Sequence, residues 1–330
     1  MSPRAYRAPA WLPGGHLQTI YPALCLAKPA VAYRRERWNA PDGDFIDIDL
    51  VDGQPGRPLV VLFHGLEGSS DSHYARALMA AVQARGWSGA VPHFRGCSGH
   101  ANLAPRFYHS GDAAEIDWIV RRLRARAAGP LYAAGVSLGG NALLRWLGEF
   151  QHQAEVVDAA CAVSAPLDLA AGGAALSSGF NMLYTRMFLR TLKPKCVAKL
   201  AQFPGLFDLD ALHRARDLYA FDNVVTAPLH GYRDTHDYWH RASARHVLGD
   251  ITVPALVLNA RNDPFLPGRH LPPLASPRVV LDYPEQGGHV GFVAGAFPGS
   301  LAWLPDTILH FLHGRRAPAP TDLCEAGVHG

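Results

Sequence analysis

The chain has 330 residues, 48% hydrophobic and only 18% charged, a balance that supports a buried core and excludes intrinsic disorder. Lys and Arg number 31 against 28 Asp and Glu, so the net charge of +3 is too small to suggest a nucleic-acid footprint. The longest apolar runs, such as residues 58–63, fall far short of the roughly 20 residues of a membrane span, and no basic-then-apolar leader is read.

Residues 1–32 read as irregular, because Pro3, Pro9, Pro13, Gly14, Gly15 and Pro22 interrupt any regular element. Residues 33–38 and 45–51 alternate as a strand pair across the turn Pro41-Asp42-Gly43. The apolar run 59–63, between Pro58 and Gly65, suits a strand buried on both faces. Residues 74–85 show helical apolar spacing, 91–94 read as a short strand, and 113–126 as a helix capped by Asp112. A strand at 131–136, a helix at 138–150 and a strand at 156–163 continue the alternation. The pattern predicts an α/β fold, a mostly parallel sheet flanked by helices.

The rhythm then breaks. Residues 167–249 read as helical, through 180–192, 197–203, 209–219 and 234–244, with a short strand piece near Val224. Strands resume at 255–260 and 279–283, and 301–312 makes a closing helix. The expected organisation is a core of residues 33–166 and 250–313, an inserted helical cap at 167–249, and a disordered tail at 314–330.

Residues 135–139, Gly-Val-Ser-Leu-Gly, form GxSxG where a buried strand hands over to a helix. Such a bend needs small residues on both sides, because the serine sits in strained backbone with its side chain thrust outward. A capping serine in a Gly-rich turn is the plain alternative; the strand-to-helix context favours Ser137 as a nucleophile. A serine hydroxyl needs a base and a group that orients the base, in the chain order Ser, acid, His. Asp263 lies in a proline-stiffened turn after the next-to-last strand, and His289 in a glycine-flanked loop after the last one. Asp168, after the strand ending at Val163, is the competing acid.

Acyl transfer also needs two backbone N–H donors for the oxyanion. Leu138 follows the nucleophile, and Leu66 lies in the glycine-flanked loop after the strand 59–63. His64 reads as a packing or hydrogen-bonding residue beneath that loop. His236 and His240 share one helical face but lack a supporting ligand set, so no metal is expected. No GxxxxGK[ST] loop and no strand-following GxGxxG is present, and no cofactor is expected. Five cysteines, at 25, 97, 161, 196 and 324, form no CxxC pair, which favours reduced thiols and a cytoplasmic setting.

Several longer strings go further than these residue patterns: GHLQTI at 15–20, FHGLEGS at 63–69, HFRGCSG at 93–99, YHSG at 108–111, GVSLGGN at 135–141, DPF at 263–265 and GGHVGF at 287–292. Together they resemble the α/β-hydrolase superfamily, and within it the YheT-like esterase branch, the AB hydrolase 4 family. The resemblance implies a carboxylic-ester hydrolase with a triad at Ser137, Asp263 and His289, and no cofactor. The expected partner is a small-molecule ester, lipid-like in some relatives, with no nucleic acid and no transmembrane anchor. The rival readings are a thioesterase, lysophospholipase-type lipid hydrolase or amidase on the same triad, or a binding protein that keeps the fold without turnover. GHLQT has no chemistry readable from its residues; packing is the plain expectation.

Overall fold

The computed structural model describes residues 5–314. Among them, eight strands form one sheet: β1 (Arg34–Asn39), β2 (Phe45–Val51), β3 (Leu59–Phe63), β4 (Ser88–Pro92), β5 (Leu131–Val136), β6 (Ala159–Val163), β7 (Ala255–Leu258) and β8 (Val279–Asp282). The spatial order is β1-β2-β4-β3-β5-β6-β7-β8. β2 runs antiparallel to β1 and β4, and the remaining neighbours pair in parallel.

The helices are α1 (Gly15–Leu24), α2 (His73–Ala84), α3 (Ala113–Arg124), α4 (Leu138–Phe150), α5 (Leu169–Leu176), α6 (Met182–Gln202), α7 (Leu209–Arg214), α8 (Leu218–Phe221), α9 (Ala227–Leu229), α10 (Thr235–Ala242) and α11 (Trp303–Gly314). Because side chains alternate along a strand, each central strand feeds two cores. Val60 and Leu62 of β3 pack with Leu78 and Val82 of α2 and Ile308 and Leu312 of α11. Val61 and Phe63 pack on the other face with Ile116 and Leu123 of α3 and Leu143 and Leu147 of α4. All of these side chains are buried, and each contributes about 1.5–3 kcal/mol relative to exposure. The expected fold class is the observed one.

Several local readings differ. Residues 15–24, expected to be irregular, form α1, which runs through Pro22. Propensity does not explain that helix; its buried residues are Gln18, Thr19 and Pro22, and contacts to other loops hold it. The strand expected at 91–94 begins earlier, at Ser88, and includes Gly89, where a Cβ would lie 2.5 Å from Met79 Sδ. Two helices expected on either side of Pro194 are one, α6. The strand piece near Val224 is instead a π-helical turn, Asp222–Thr226. Between β6 and β7 no strand occurs among the described residues. The tail expected to be disordered lies outside the described residues, except Gly314, which ends α11.

Candidate active site

The site lies at the carboxyl ends of the parallel strands. β5 ends at Val136, α4 starts at Leu138, and Ser137 between them has φ 53° and ψ −121°. This conformation is strained for a side-chain-bearing residue and turns the chain sharply from strand to helix. The turn is possible only with flanking glycines. A Cβ on Gly135 would lie 2.5 Å from the Gly139 carbonyl oxygen, and one on Gly139 would lie 2.3 Å from that of Phe63.

Ser137 Oγ stands 3.0 Å from His289 Nε2, and His289 Nδ1 stands 2.9 Å from Asp263 Oδ2. The carboxylate at Nδ1 requires the ring proton there, which leaves Nε2 as the acceptor for the serine hydroxyl. The other Asp263 oxygen, Oδ1, accepts the N–H of Phe265 at 2.8 Å. Phe265 in turn stacks on the His289 ring, with centroids 4.0 Å apart. Asp263 is 3% exposed, so the pair is well shielded from water. The three residues expected as a triad are therefore brought together.

Asp168, the competing acid, serves elsewhere. Its Oδ1 caps α5 by accepting the Ala171 N–H, and its Oδ2 pairs with Arg245.

Leu66 and Leu138, the expected backbone donors, line one pocket with Ser137 and His289. Among the described residues neither N–H donates to a protein acceptor, whereas their neighbours are held tightly. Gly65 N–H donates to Tyr74 Oη, and Glu67 N–H to Tyr108 Oη, both at 2.8 Å. Tyr108 Oη also donates to Glu67 Oε1, and Lys195 of α6 reaches the same carboxylate at 2.8 Å. Glu67 itself has φ 55°, so the loop is strained as well as pinned. Beneath it, His64 donates from Nδ1 to the Gly65 carbonyl and accepts the Phe94 N–H at Nε2. Burial drives the His64 pKa down to about 3, so the ring stays neutral as a structural bridge. Cys97 lies next to this loop, but burial raises its thiol to about 12 and keeps it protonated.

The His289 loop is also strained. Val290 and Phe292 have φ of 59° and 43°, and Val290 N–H donates to Ser164 Oγ at 3.0 Å. A β-branched residue at positive φ persists only where surrounding contacts demand it. The signals that sequence reasoning missed are of this kind: Tyr74, Tyr108, Ser164 and Lys195 act through contacts between distant segments. YHSG and FHGLEGS had marked two of the segments, without showing that Tyr108 meets Glu67.

Above the strand ends, the helices between β6 and β7 close over a cavity whose wall is mostly apolar. Leu169, Leu176, Phe188, Leu192, Leu218 and Val225 line it, together with Ser137 and His289. Asp222 also lines it; burial raises its carboxyl to about 6, although Thr226 and Trp239 donate to it. His236 and His240, weighed earlier as ligands, are exposed and pack on the rings of Tyr219 and His246. No group of three or more His, Cys, Asp or Glu among the described residues could hold a metal ion. No helix among them is long and apolar enough to cross a membrane.

Comparisons with known proteins agree with this fold. A family model described as "alpha/beta hydrolase fold" matches residues 58–296. An Escherichia coli protein named "Putative esterase YheT" is 39% identical, over 91% of this chain and 92% of its own. "Phospholipase ABHD3" of Mus musculus is 29% identical, over 93% of this chain and 78% of its own. Among solved structures, the Pyrococcus furiosus esterase Pf2001 superposes with a TM-score of 0.54 at 17% identity, covering 87% of this chain and 92% of that one. That last likeness speaks for the fold alone.

Proposed function

The chain belongs to the α/β-hydrolase fold family, and on that premise we propose that it hydrolyses carboxylic esters through an acyl-Ser137 intermediate. The observation that carries the reading is the unbroken line Asp263–His289–Ser137, with contacts of 2.9 and 3.0 Å. His289 Nε2 takes the hydroxyl proton as Ser137 Oγ attacks the ester carbonyl. The tetrahedral oxygen gains negative charge and accepts from the Leu66 and Leu138 N–H groups. As the C–O bond breaks, the imidazolium returns that proton to the departing alcohol. Water then attacks the acyl-serine with the same proton shuttle, releasing the carboxylic acid and restoring Ser137. Asp263 holds the productive tautomer and offsets the imidazolium charge while it exists. The cycle draws no electron or group from a cofactor.

The apolar cavity wall supports an apolar acyl group, in keeping with relatives named esterase and phospholipase. The test is turnover by the purified protein of a chain-length series of p-nitrophenyl esters, beside acyl thioesters and anilides. Ester hydrolysis that disappears in Ser137→Ala is the expected result. Faster thioester cleavage would move the reading to a thioesterase. No turnover of any substrate, with no fluorophosphonate labelling of Ser137, would leave a binding protein.

A further inference from the structure

The first turn of α1 touches both loops that bring the acid and the base to Ser137. Gln18 is 1% exposed, and its Oε1 accepts two N–H groups at 2.9 Å, from Gly287 and from the Asn262 side chain. Asn262 precedes Asp263, and its own Oδ1 accepts the Gly288 N–H at 3.0 Å. The Gln18 amide nitrogen donates to the Leu12 carbonyl and to Gln286 Oε1. Thr19, 8% exposed, accepts the His289 N–H at 2.9 Å and donates to the Gly15 carbonyl at 2.7 Å. The Gln18 amide is thus fully engaged, with both loops and with Leu12 ahead of α1, and the Thr19 hydroxyl both accepts and donates.

The backbones approach as closely as the side chains. A Cβ on Gly15 would lie 2.0 Å from the Asn262 carbonyl oxygen. One on Gly291 would lie 2.1 Å from the Gln18 carbonyl oxygen, and one on Gly288 2.7 Å from that of Gly15. Three glycines on two distant segments are therefore required for one contact. A fully satisfied buried network of this kind admits one arrangement of its members, because any shift leaves a buried polar group unpaired.

We propose that Gln18 and Thr19 are positioning residues of the hydrolytic site, setting the distance and angle between Asp263 and His289 by bridging their loops. The inference rests on the roles given above to Ser137, Asp263 and His289. It supplies a function for the GHLQT string: Gly15 permits the close approach, Gln18 clasps residues 262 and 287, and Thr19 holds the backbone of the base itself. Neither residue is among those lining the substrate cavity, so their influence falls on the chemical step and not on ester binding.

The test uses the full chain and four variants, Ser137→Ala, Gln18→Ala, Thr19→Val and Thr19→Ser, with active sites counted by fluorophosphonate titration. Thr19→Val keeps the shape and loses the hydroxyl, and Thr19→Ser keeps the hydroxyl. Since small misplacements of reacting groups are costly, Thr19→Val and Gln18→Ala should each lower kcat per titrated site by about tenfold or more. KM should stay within about twofold, and Thr19→Ser should recover most of the loss. Counting sites confines the readout to folded protein even where a variant is unstable. Wild-type kcat per site in Thr19→Val and Gln18→Ala, with fewer sites or a lower Tm, would overturn the inference and leave α1 as packing. Undiminished activity in Ser137→Ala would instead overturn the reading on which it rests.

Discussion

Phe265 lies nearly parallel to the His289 imidazole, 18° between planes, while its own N–H holds Asp263. One short turn therefore secures the carboxylate and covers a face of the ring that the carboxylate orients. Tyr184 and Phe188 of α6 pack against Phe265 in turn, at 4.8 and 6.0 Å between centroids. Phe265→Ala should free the imidazole to rotate and admit water, lowering kcat by about tenfold. Steady-state kinetics with a short-chain ester will measure it; an unchanged kcat would make the ring contact incidental.

Asp263→Asn should cost far more activity than Asp168→Asn. Asparagine at 263 stabilises the wrong tautomer of His289, an effect worth on the order of 10⁴ in kcat in other triads. Asp168 caps α5 and pairs with Arg245, so its loss should register in Tm, with kcat close to wild type. Equal activity losses in the two variants would contradict this division.

Tyr108 bonds both the backbone and the carboxylate of Glu67, the residue after Leu66. On the proposed mechanism Leu66 N–H serves the oxyanion, and losing the hydroxyl would loosen the turn that carries it. Removing an oxyanion donor outright costs about 10²–10³ in kcat, so misaiming one in Tyr108→Phe should cost about tenfold. KM should barely move, because the hydroxyl is committed to Glu67. A rise in KM with kcat intact would assign Tyr108 to substrate binding.

Phe180, Met182, Leu183, Tyr184, Met187 and Phe188 recur at helical spacing in the sequence, an apolar cluster suited to covering the strand ends, but the structure divides them. Phe188 lines the cavity, whereas Phe180, Leu183 and Met187 are exposed, Met187 by 56%. Phe188→Ala should therefore change kcat/KM unevenly across ester lengths, since each buried methylene is worth about 0.8 kcal/mol. Met187→Ala should leave the length profile unaltered. Parallel profiles for wild type and Phe188→Ala would remove Phe188 from acyl selection.

Stability should fall on the acid side partly through His64. Unfolded, the imidazole has its ordinary pKa of 6.5; folded, burial lowers it to about 3. Below pH 6.5 the unfolded chain gains a proton that the folded chain refuses, so the stability present above 6.5 is lost progressively down to about pH 3. The slope is about 1.4 kcal/mol per pH unit for one such group. Denaturant unfolding of His64→Gln between pH 6 and 4 should show a slope shallower by about that amount. Equal slopes would mean that His64 titrates alike in both states.

The sheet, and the three residues that meet as Asp263–His289–Ser137, were legible because their signals are local. Residues 59–63 and 131–136 are apolar runs, the first bounded by Pro58 and Gly65, and GxSxG marks its own bend between strand and helix. Asp263 and His289 were found because each follows a strand at the expected point in the chain. α1 was not legible. Leu17, Ile20, Tyr21 and Leu24 do stand at helical spacing, but Leu17 and Leu24 are exposed; the buried side of α1 is Gln18, Thr19 and Pro22, and its stabilising partners are Asn262 and residues 286–289. Pro22 and the paired glycines read locally as breakers; tertiary contacts decide otherwise. Pro194 misled in the same way, since α6 continues through it. The exposure of Met187 is likewise a matter of how α6 is rotated, which helical spacing alone does not give.

The bond from Thr19 to His289 spans 270 positions of the chain, and that from Gln18 to Gly287 spans 269. During synthesis from the amino terminus, the first turn of α1 leaves the ribosome long before the loop it clasps. The sheet through β6 can pair meanwhile, but the base acquires its backbone anchor only after residue 289 has emerged. Contacts of such high sequence separation form late and slowly. Hydrolytic competence should accordingly trail the appearance of native secondary structure during refolding, so that a nascent chain already carrying Ser137 stays chemically silent until residues 19 and 289 meet.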